Sequence, residues 1–255
     1  MKLPKSTSFA GRYKLGHNVW IGENVSFGDD VEIGNNAIIY EGTKFGEHVR
    51  ILDNVVIGRQ PVPPFVEHRD HKIKRTQPAI FGSYIVIGTG SIIYAGVRIG
   101  NYLYCADRVI IREGAMLGDH VTLGKNSIVE HDVRMGDWCK VQSYGLVGEG
   151  MLIEDHVFIG PFFNGVCDKL MDRDETVVFN PPIIMRCARM GAHSVLLAGL
   201  TVGEESVVGA GAIVTKDVPD GMIVAGVPAK ILKETPAEER LEKRRSKEEV
   251  AKPCR

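Results

Sequence analysis

Residues 91–136 read SIIYAGVRIGNYLYCADRVIIREGAMLGDHVTLGKNSIVEHDVRMG, with an apolar residue at every sixth position: Ile93, Ile99, Cys105, Ile111, Leu117, Leu123, Val129 and Met135. A period of six is neither the 3.6 of an amphipathic helix nor the alternation of a two-faced strand. It suits a chain that makes one short strand per six residues. The first side chain turns inward, a small residue such as Gly100, Gly118 or Gly136 tolerates the corner, and β-branched residues at the fifth position pack the same interior.

The same phase extends in both directions. It covers Leu15 through Ile57, resumes from Phe81 through Ile159, and returns from Met190 through Val214, giving twenty-seven hexads. At three hexads per turn this predicts an all-β, three-sided parallel β-helix of about nine coils. One coil cannot bury its own apolar face, so stacking at about 4.8 Å per coil does it.

Two segments break the rhythm. Residues 61–78, PVPPFVEHRDHKIKRTQP, combine four prolines with a dense run of cations. The second interruption covers about 164–189. Both are expected to be loop excursions that serve function, because a solenoid keeps long insertions on its binding face. The β-helix domain is placed at 1–232. The charged tail at 233–255 is expected to form a short helix with a frayed end.

Composition narrows the class. Lys and Arg total 31 against 32 Asp and Glu, so no charge excess points to nucleic acid or an anionic membrane. The first residues lack the apolar core of a secretory signal, and no run of eighteen apolar residues occurs, so a cytoplasmic protein with no membrane partner is expected. The five cysteines show no CxxC spacing, which predicts free thiols rather than a disulfide framework or a metal site.

The hexads, together with GAGAIVTKDVPDGMIVAGVPAKIL at 209–232, resemble the left-handed β-helix (hexapeptide-repeat) acyltransferases. Within them, VVIGRQP at 55–61, SIIYAGVRIG at 91–100, ADRVIIREG at 106–114 and HVFIGPFF at 156–163 resemble N-acetyltransferases acting on nucleotide-linked aminosugars. The resemblance implies a homotrimer with acetyl-CoA as co-substrate between neighbouring subunits, a nucleotide sugar as acceptor and no metal.

Positions eighteen apart stack on one edge, so Glu113, His131, Glu149 and Cys167 form one row, with Gly114, Asp132, Gly150 and Asp168 beside it and Arg112 and Glu130 on its other side. A merely solvated edge is the competing reading. The functional reading assigns His131, Glu149 and Asp168 to catalysis: the carboxylates hold the acceptor amine, and the imidazole takes its proton. The triplet Glu130-His131-Asp132 also resembles aminosugar acetyltransferases that use a His followed by an acid as base and orienter. Arg112, Glu130, Asp132, Gln142 and Cys167 are assigned to acceptor binding. His68, Arg69, His71, Lys72 and Arg75 of the first excursion supply the cations a pyrophosphate needs. A backbone N–H at Gly160 or Gly148 is expected to meet the oxyanion.

For coenzyme A, Ala210 and Gly211 are the small residues the pantetheine arm approaches, and Lys216 and Lys230 the cations for its phosphates. The alternatives are an O-acyltransferase, a non-catalytic trimeric scaffold or nucleotide-sugar binder, and a zinc hydratase. The last is disfavoured because His120, His131 and His156 share no single row.

Overall fold

A computed structural model of the protein describes residues 4–62, 76–168 and 180–241. Its short parallel strands form three faces of twelve, ten and seven strands. A two-stranded piece, Ser8–Phe9 with Ser26–Phe27, continues the seven-stranded face through bridges at Lys44. Register steps by eighteen residues: Ile93 lies opposite Ile111, Ile111 opposite Val129, and Val129 opposite Val147. The result is an all-β parallel solenoid that fits the left-handed hexapeptide-repeat class.

It makes about eleven turns rather than nine. The added hexads lie at the ends and inside the second interruption. Asn164–Gly165 and Ile183–Ile184 are strands within the range assigned to a loop. Gly165 takes an inward position but has no apolar side chain to announce it. A Cβ there would lie 2.3 Å from the Met151 sulfur and 3.3 Å from the Phe163 ring, so two large neighbours fill its share of the core. The tail opens with an antiparallel strand, Lys230–Glu234, followed by a 3₁₀ turn at Ala237–Glu239. Residues 242–255 fall outside the description.

Every first-position residue of the three blocks is buried except Leu15, half-buried near the open end of the prism. Ile111→Ala, in mid-solenoid and fully buried, is expected to cost about 2–5 kcal/mol, read from denaturant unfolding.

The corners turn through left-handed backbone. Between the seven- and twelve-stranded faces, Tyr84, Tyr102, His120, Trp138 and His156 hold φ near +60°, which costs a non-glycine residue roughly 1–2 kcal/mol. Two interactions offset it. The rings stack in one column with centroids 4.7, 4.3, 3.7 and 6.3 Å apart. Beside them Asn101, Asp119, Asp137 and Asp155 each accept the backbone N–H of the preceding coil at 2.7–2.9 Å. Gly118 must be glycine, since a Cβ would sit 2.2 Å from the Asp137 carboxylate and 2.9 Å from the Gly136 backbone.

Two other edges matter below. The asparagine edge, between the twelve- and ten-stranded faces, begins with Asn18, Asn36 and Asn54 joined side chain to side chain at 3.0 and 3.1 Å. The loop edge lies between the ten- and seven-stranded faces. Both long excursions connect those two faces, from Val56–Arg59 to Ile80–Phe81 and from Asn164–Gly165 to Ile183–Ile184.

Candidate active site

The loop edge carries the candidate site. Its coils bring, in order, Tyr94, then Arg112-Glu113-Gly114, Glu130-His131-Asp132, Gly148-Glu149-Gly150 and Val166-Cys167-Asp168, each triplet following a strand of the ten-stranded face. Backbone bonds lock the rows together: Asp132 N donates to Glu113 O at 3.1 Å and Gly150 N to His131 O at 2.9 Å. The stacked row expected from the eighteen-residue spacing is present.

His131 sits between two acids. Its Nε2 lies 3.1 Å from Glu149 Oε2 and its Nδ1 3.3 Å from Asp132 Oδ2. The imidazole is 16% exposed and Glu149 27%, whereas Asp132 at 74% reaches into solvent. One coil away, Arg112 donates two bonds of 2.8 Å to Glu113 and approaches Glu130 at 3.3 Å. The Arg112 guanidinium lies 5.1 Å from the Tyr94 ring centre, with Arg59 5.8 Å from the same ring.

Burial pushes the Glu113 carboxyl up, but the hydrogen bonds from Arg112, its own backbone N–H and the Arg112 and His131 charges together hold the group below its ordinary range. A depressed carboxylate contributes stability above its unfolded pKa of about 4.3 and loses it as pH falls through the folded value. Arg112→Leu should therefore lower stability at pH 7 by about 1.5–3 kcal/mol, with the gap from the parent closing below about pH 4. Urea midpoints across pH measure this. The Cys167 thiol is pushed up by burial first, then by the Glu149 and Asp168 charges, so it stays protonated near neutrality and is a poor nucleophile.

The base of the first excursion belongs to the same place. Gln60 clasps Thr76 in both directions, accepting its N–H at 2.9 Å and donating to its carbonyl at 3.0 Å. Thr76 in turn packs where a side chain on Gly96, next to Gly114, would intrude at 3.0 Å. The cations His68, Arg69, His71, Lys72 and Arg75 lie outside the described residues. Around the corner a groove of about 690 Å³ runs along the seven-stranded face, lined by Arg98, Met116, Arg134 and Leu152.

Other assignments separate. Gln142 follows Val141 in the twelve-stranded face, which places it on the asparagine edge with Ala210 and Gly211, across the ten-stranded face from His131. Lys216 follows Val214 of the ten-stranded face, two coils beyond Cys167 on the loop edge. Lys230 starts the antiparallel strand at the solenoid's end. Neither suggested oxyanion amide serves as offered: Gly160 N donates to Met190 O at 2.8 Å on the asparagine edge, and Gly148 N points to the buried Met151 sulfur at 3.2 Å. His120 and His156 belong to the ring column of the third edge, away from His131. Tyr94 and Arg59 were missed, although extending the Arg112 column back by eighteen residues reaches Tyr94. Among the described residues no group of three or more His, Cys, Asp and Glu is arranged to hold a metal ion, and no helix is long and apolar enough to cross a membrane. Cys105, Cys139, Cys167 and Cys187 are free thiols.

Two segments match known sequence families: residues 12–46 the bacterial transferase hexapeptide (six repeats), and residues 188–216 the hexapeptide repeat of succinyl-transferase. A 2,3,4,5-tetrahydropyridine-2,6-dicarboxylate N-acetyltransferase of Staphylococcus aureus is 51% identical over 55 residues, 22% of this chain and 23% of that protein. The chain thus spans about a quarter of the length of the curated relatives it matches. Among solved structures, UDP-N-acetylglucosamine acyltransferase from Campylobacter jejuni aligns over 91% of this chain and 75% of its own at 16% identity and a TM-score of 0.42. GDP-perosamine N-acetyl transferase from Caulobacter crescentus, solved with CoA and GDP-perosamine, aligns over 58% and 57% at 21% identity and a TM-score of 0.33.

Proposed function

We propose that the protein is an acetyl-CoA-dependent N-acetyltransferase that acts on the amino group of a nucleotide-linked aminosugar and works as a homotrimer. The observation that carries this reading is His131, held on a loop-flanked edge with a carboxylate beside each ring nitrogen. Hexapeptide matches at both ends of the solenoid and the local likeness to an N-acetyltransferase support it.

The acceptor displaces Glu149 from His131 Nε2 and keeps that carboxylate as a hydrogen-bond partner, with Asp168 one coil further along. The amine nitrogen attacks the thioester carbonyl carbon, and its surplus proton passes to Nε2. The C–S bond breaks as the tetrahedral intermediate collapses, and the coenzyme A thiolate takes the proton held on Nε2 and leaves as the thiol, which returns His131 to its neutral form. While the imidazolium exists, Asp132 beside Nδ1 and the displaced but still adjacent Glu149 carboxylate balance its charge. Arg98 and Arg134 in the groove, with the cations of the first excursion, suit the diphosphate. Open space at Gly211, where a Cβ would meet nothing within 4 Å, suits the pantetheine arm.

A trimer is supported by the outer side of the ten-stranded face. Ile38, Val56, Ile92, Ile110, Ile128, Leu146, Val195 and Ile213 point outward there, interrupted by Asn164, whereas the seven-stranded face mixes Arg98 and Arg134 with Ile80, Met116 and Leu152, and the twelve-stranded face sets Lys14, Glu32, Arg50 and Lys140 beside Val86, Tyr104 and Phe158. An aliphatic column of that length belongs against another copy.

Thiol release from acetyl-CoA, measured over a panel of nucleotide-linked amino- and hydroxysugars, tests the activity. Release confined to amino acceptors, with an acetylated product by mass spectrometry, is expected; none with any acceptor would remove the reading. Cys167→Ser should stay within about threefold of the parent, since a protonated thiol forms no acyl-enzyme.

A further inference from the structure

Each face of the prism ends in a sheet edge at the end of the solenoid where Lys230 lies, and the chain covers two of the three. The last strand of the ten-stranded face, Ile213–Val214, donates Ile213 N–H to Gly226 O at 3.1 Å and accepts Ala229 N–H on Ile213 O at 2.8 Å, under a segment that contains Pro228. The seven-stranded face ends at Thr201–Val202, which is bridged by Val218 with Pro219 immediately after it. Proline lacks an N–H, so neither cap offers a full row of donors to a further strand.

The twelve-stranded face ends differently. Val207–Val208 pairs with Met222–Ala225, and that strand pairs antiparallel with Lys230–Glu234. Lys230–Glu234 is the terminal strand of its sheet, contains no proline and is exposed at all five positions, Ile231 at 57% and Leu232 at 64%. Beyond it the chain turns back onto earlier coils instead of crossing this edge. Thr235 N donates to Gly221 O at 2.7 Å, Thr235 Oγ1 to Glu205 O at 3.0 Å, and Leu241 N to Glu205 Oε1 at 2.8 Å. Among the described residues no strand pairs with the outer side of Lys230–Glu234.

Lysines on an edge strand deter indiscriminate pairing. In Lys230-Ile231-Leu232-Lys233-Glu234 their placement also selects one register. Turned antiparallel against itself about Leu232, the strand sets Lys230 opposite Glu234 at both ends, Leu232 opposite Leu232, and Ile231 opposite the aliphatic stem of Lys233. A slip of one residue can put Lys230 against Lys233 twice, and an in-register parallel pair puts each lysine on its own copy. Like charges directly opposite are destabilising.

We propose that Lys230–Glu234 is a docking edge for the same strand of a second copy, paired antiparallel about a twofold at Leu232 and held at each end by Lys230 against Glu234. Such a contact is isologous and extends the twelve-stranded sheet from one molecule into the next. It is independent of the acetyltransferase reading and stands whatever the loop edge does. Five residues a side make a small contact, so the association is reversible and set by concentration.

Sedimentation velocity of the whole protein over a range of concentrations tests this. The parent's weight-average sedimentation coefficient is expected to rise with concentration. Glu234→Lys and Lys230→Glu, which each place like charges opposite at both ends, should weaken the association at least about tenfold. The double exchange Lys230→Glu/Glu234→Lys should restore it. No rise in the parent, a rise that survives either single variant, or a double exchange that fails to restore it would overturn the pairing. Carbodiimide cross-linking of isotope-labelled and unlabelled parent chains, mixed in equal amounts, needs no variant. A Lys230–Glu234 isopeptide bond that joins a labelled to an unlabelled chain is expected. Cross-links from Lys230 or Lys233 only to Glu242, Glu248 or Glu249 of the same chain would assign the edge to the protein's own later residues and overturn the proposal.

Discussion

His131→Ala is expected to lower kcat for acetyl transfer by at least about a hundredfold while KM for acetyl-CoA changes little, because general-base contributions are about 10²–10⁴-fold and act on the reacting proton rather than on cofactor binding. The side chain touches Asp132 and Glu149 on the outside of the solenoid and contributes nothing to the core. Thermal unfolding should therefore match the parent. Glu149→Gln separates the two roles of that carboxylate: the amide keeps a hydrogen-bond acceptor for the amine but cannot balance an imidazolium, so kcat should fall with a smaller change in KM for the acceptor. Steady-state kinetics on both variants decide this. Parental kcat in His131→Ala would leave the edge with no proton acceptor of this kind and send the proton to the departing thiolate.

The second large effect is expected at Ile128, in the middle of the outward aliphatic column. Ile128→Glu sets a carboxylate where the proposed interface is driest, and an unpaired buried charge is not accommodated there at acceptable cost. Light scattering behind size exclusion should show the parent as a trimer and the variant as a monomer. The β-sheet circular dichroism spectrum should be unchanged, since the inward neighbours Ser127 and Val129 are intact. Activity should fall more than a hundredfold if the site needs two copies. A variant that stays trimeric would move the interface to another face.

The fold was legible because one position in six decides it. The eighteen-residue spacing of Ile93, Ile111, Val129 and Val147 implies that they stack, and they stack in the structure. What escaped was whatever breaks the apolar signature without breaking the coil. Gly165 fills an inward place by being small beside Met151 and Phe163. Ile184 follows an insertion and two prolines that hide its phase.

At the site, the contact of His131 with Glu149 followed from the same arithmetic. The separation of Gln142, Ala210 and Gly211 from it was also open to that arithmetic, since the third of the prism to which a hexad belongs repeats every eighteen residues. Rotamers were not. That Arg112 turns to Glu113 and Tyr94 and that Cys167 is half-buried depend on packing that no spacing reveals.

The most direct test of the loop edge as the acyl-transfer site is a crystal structure with coenzyme A and an aminosugar nucleotide bound. The account predicts the acceptor nitrogen within about 3.2 Å of His131 Nε2, or one water away, with the coenzyme thiol beside it. Coenzyme A and sugar bound along another edge, with His131 still held by Glu149 and open to solvent, would contradict it.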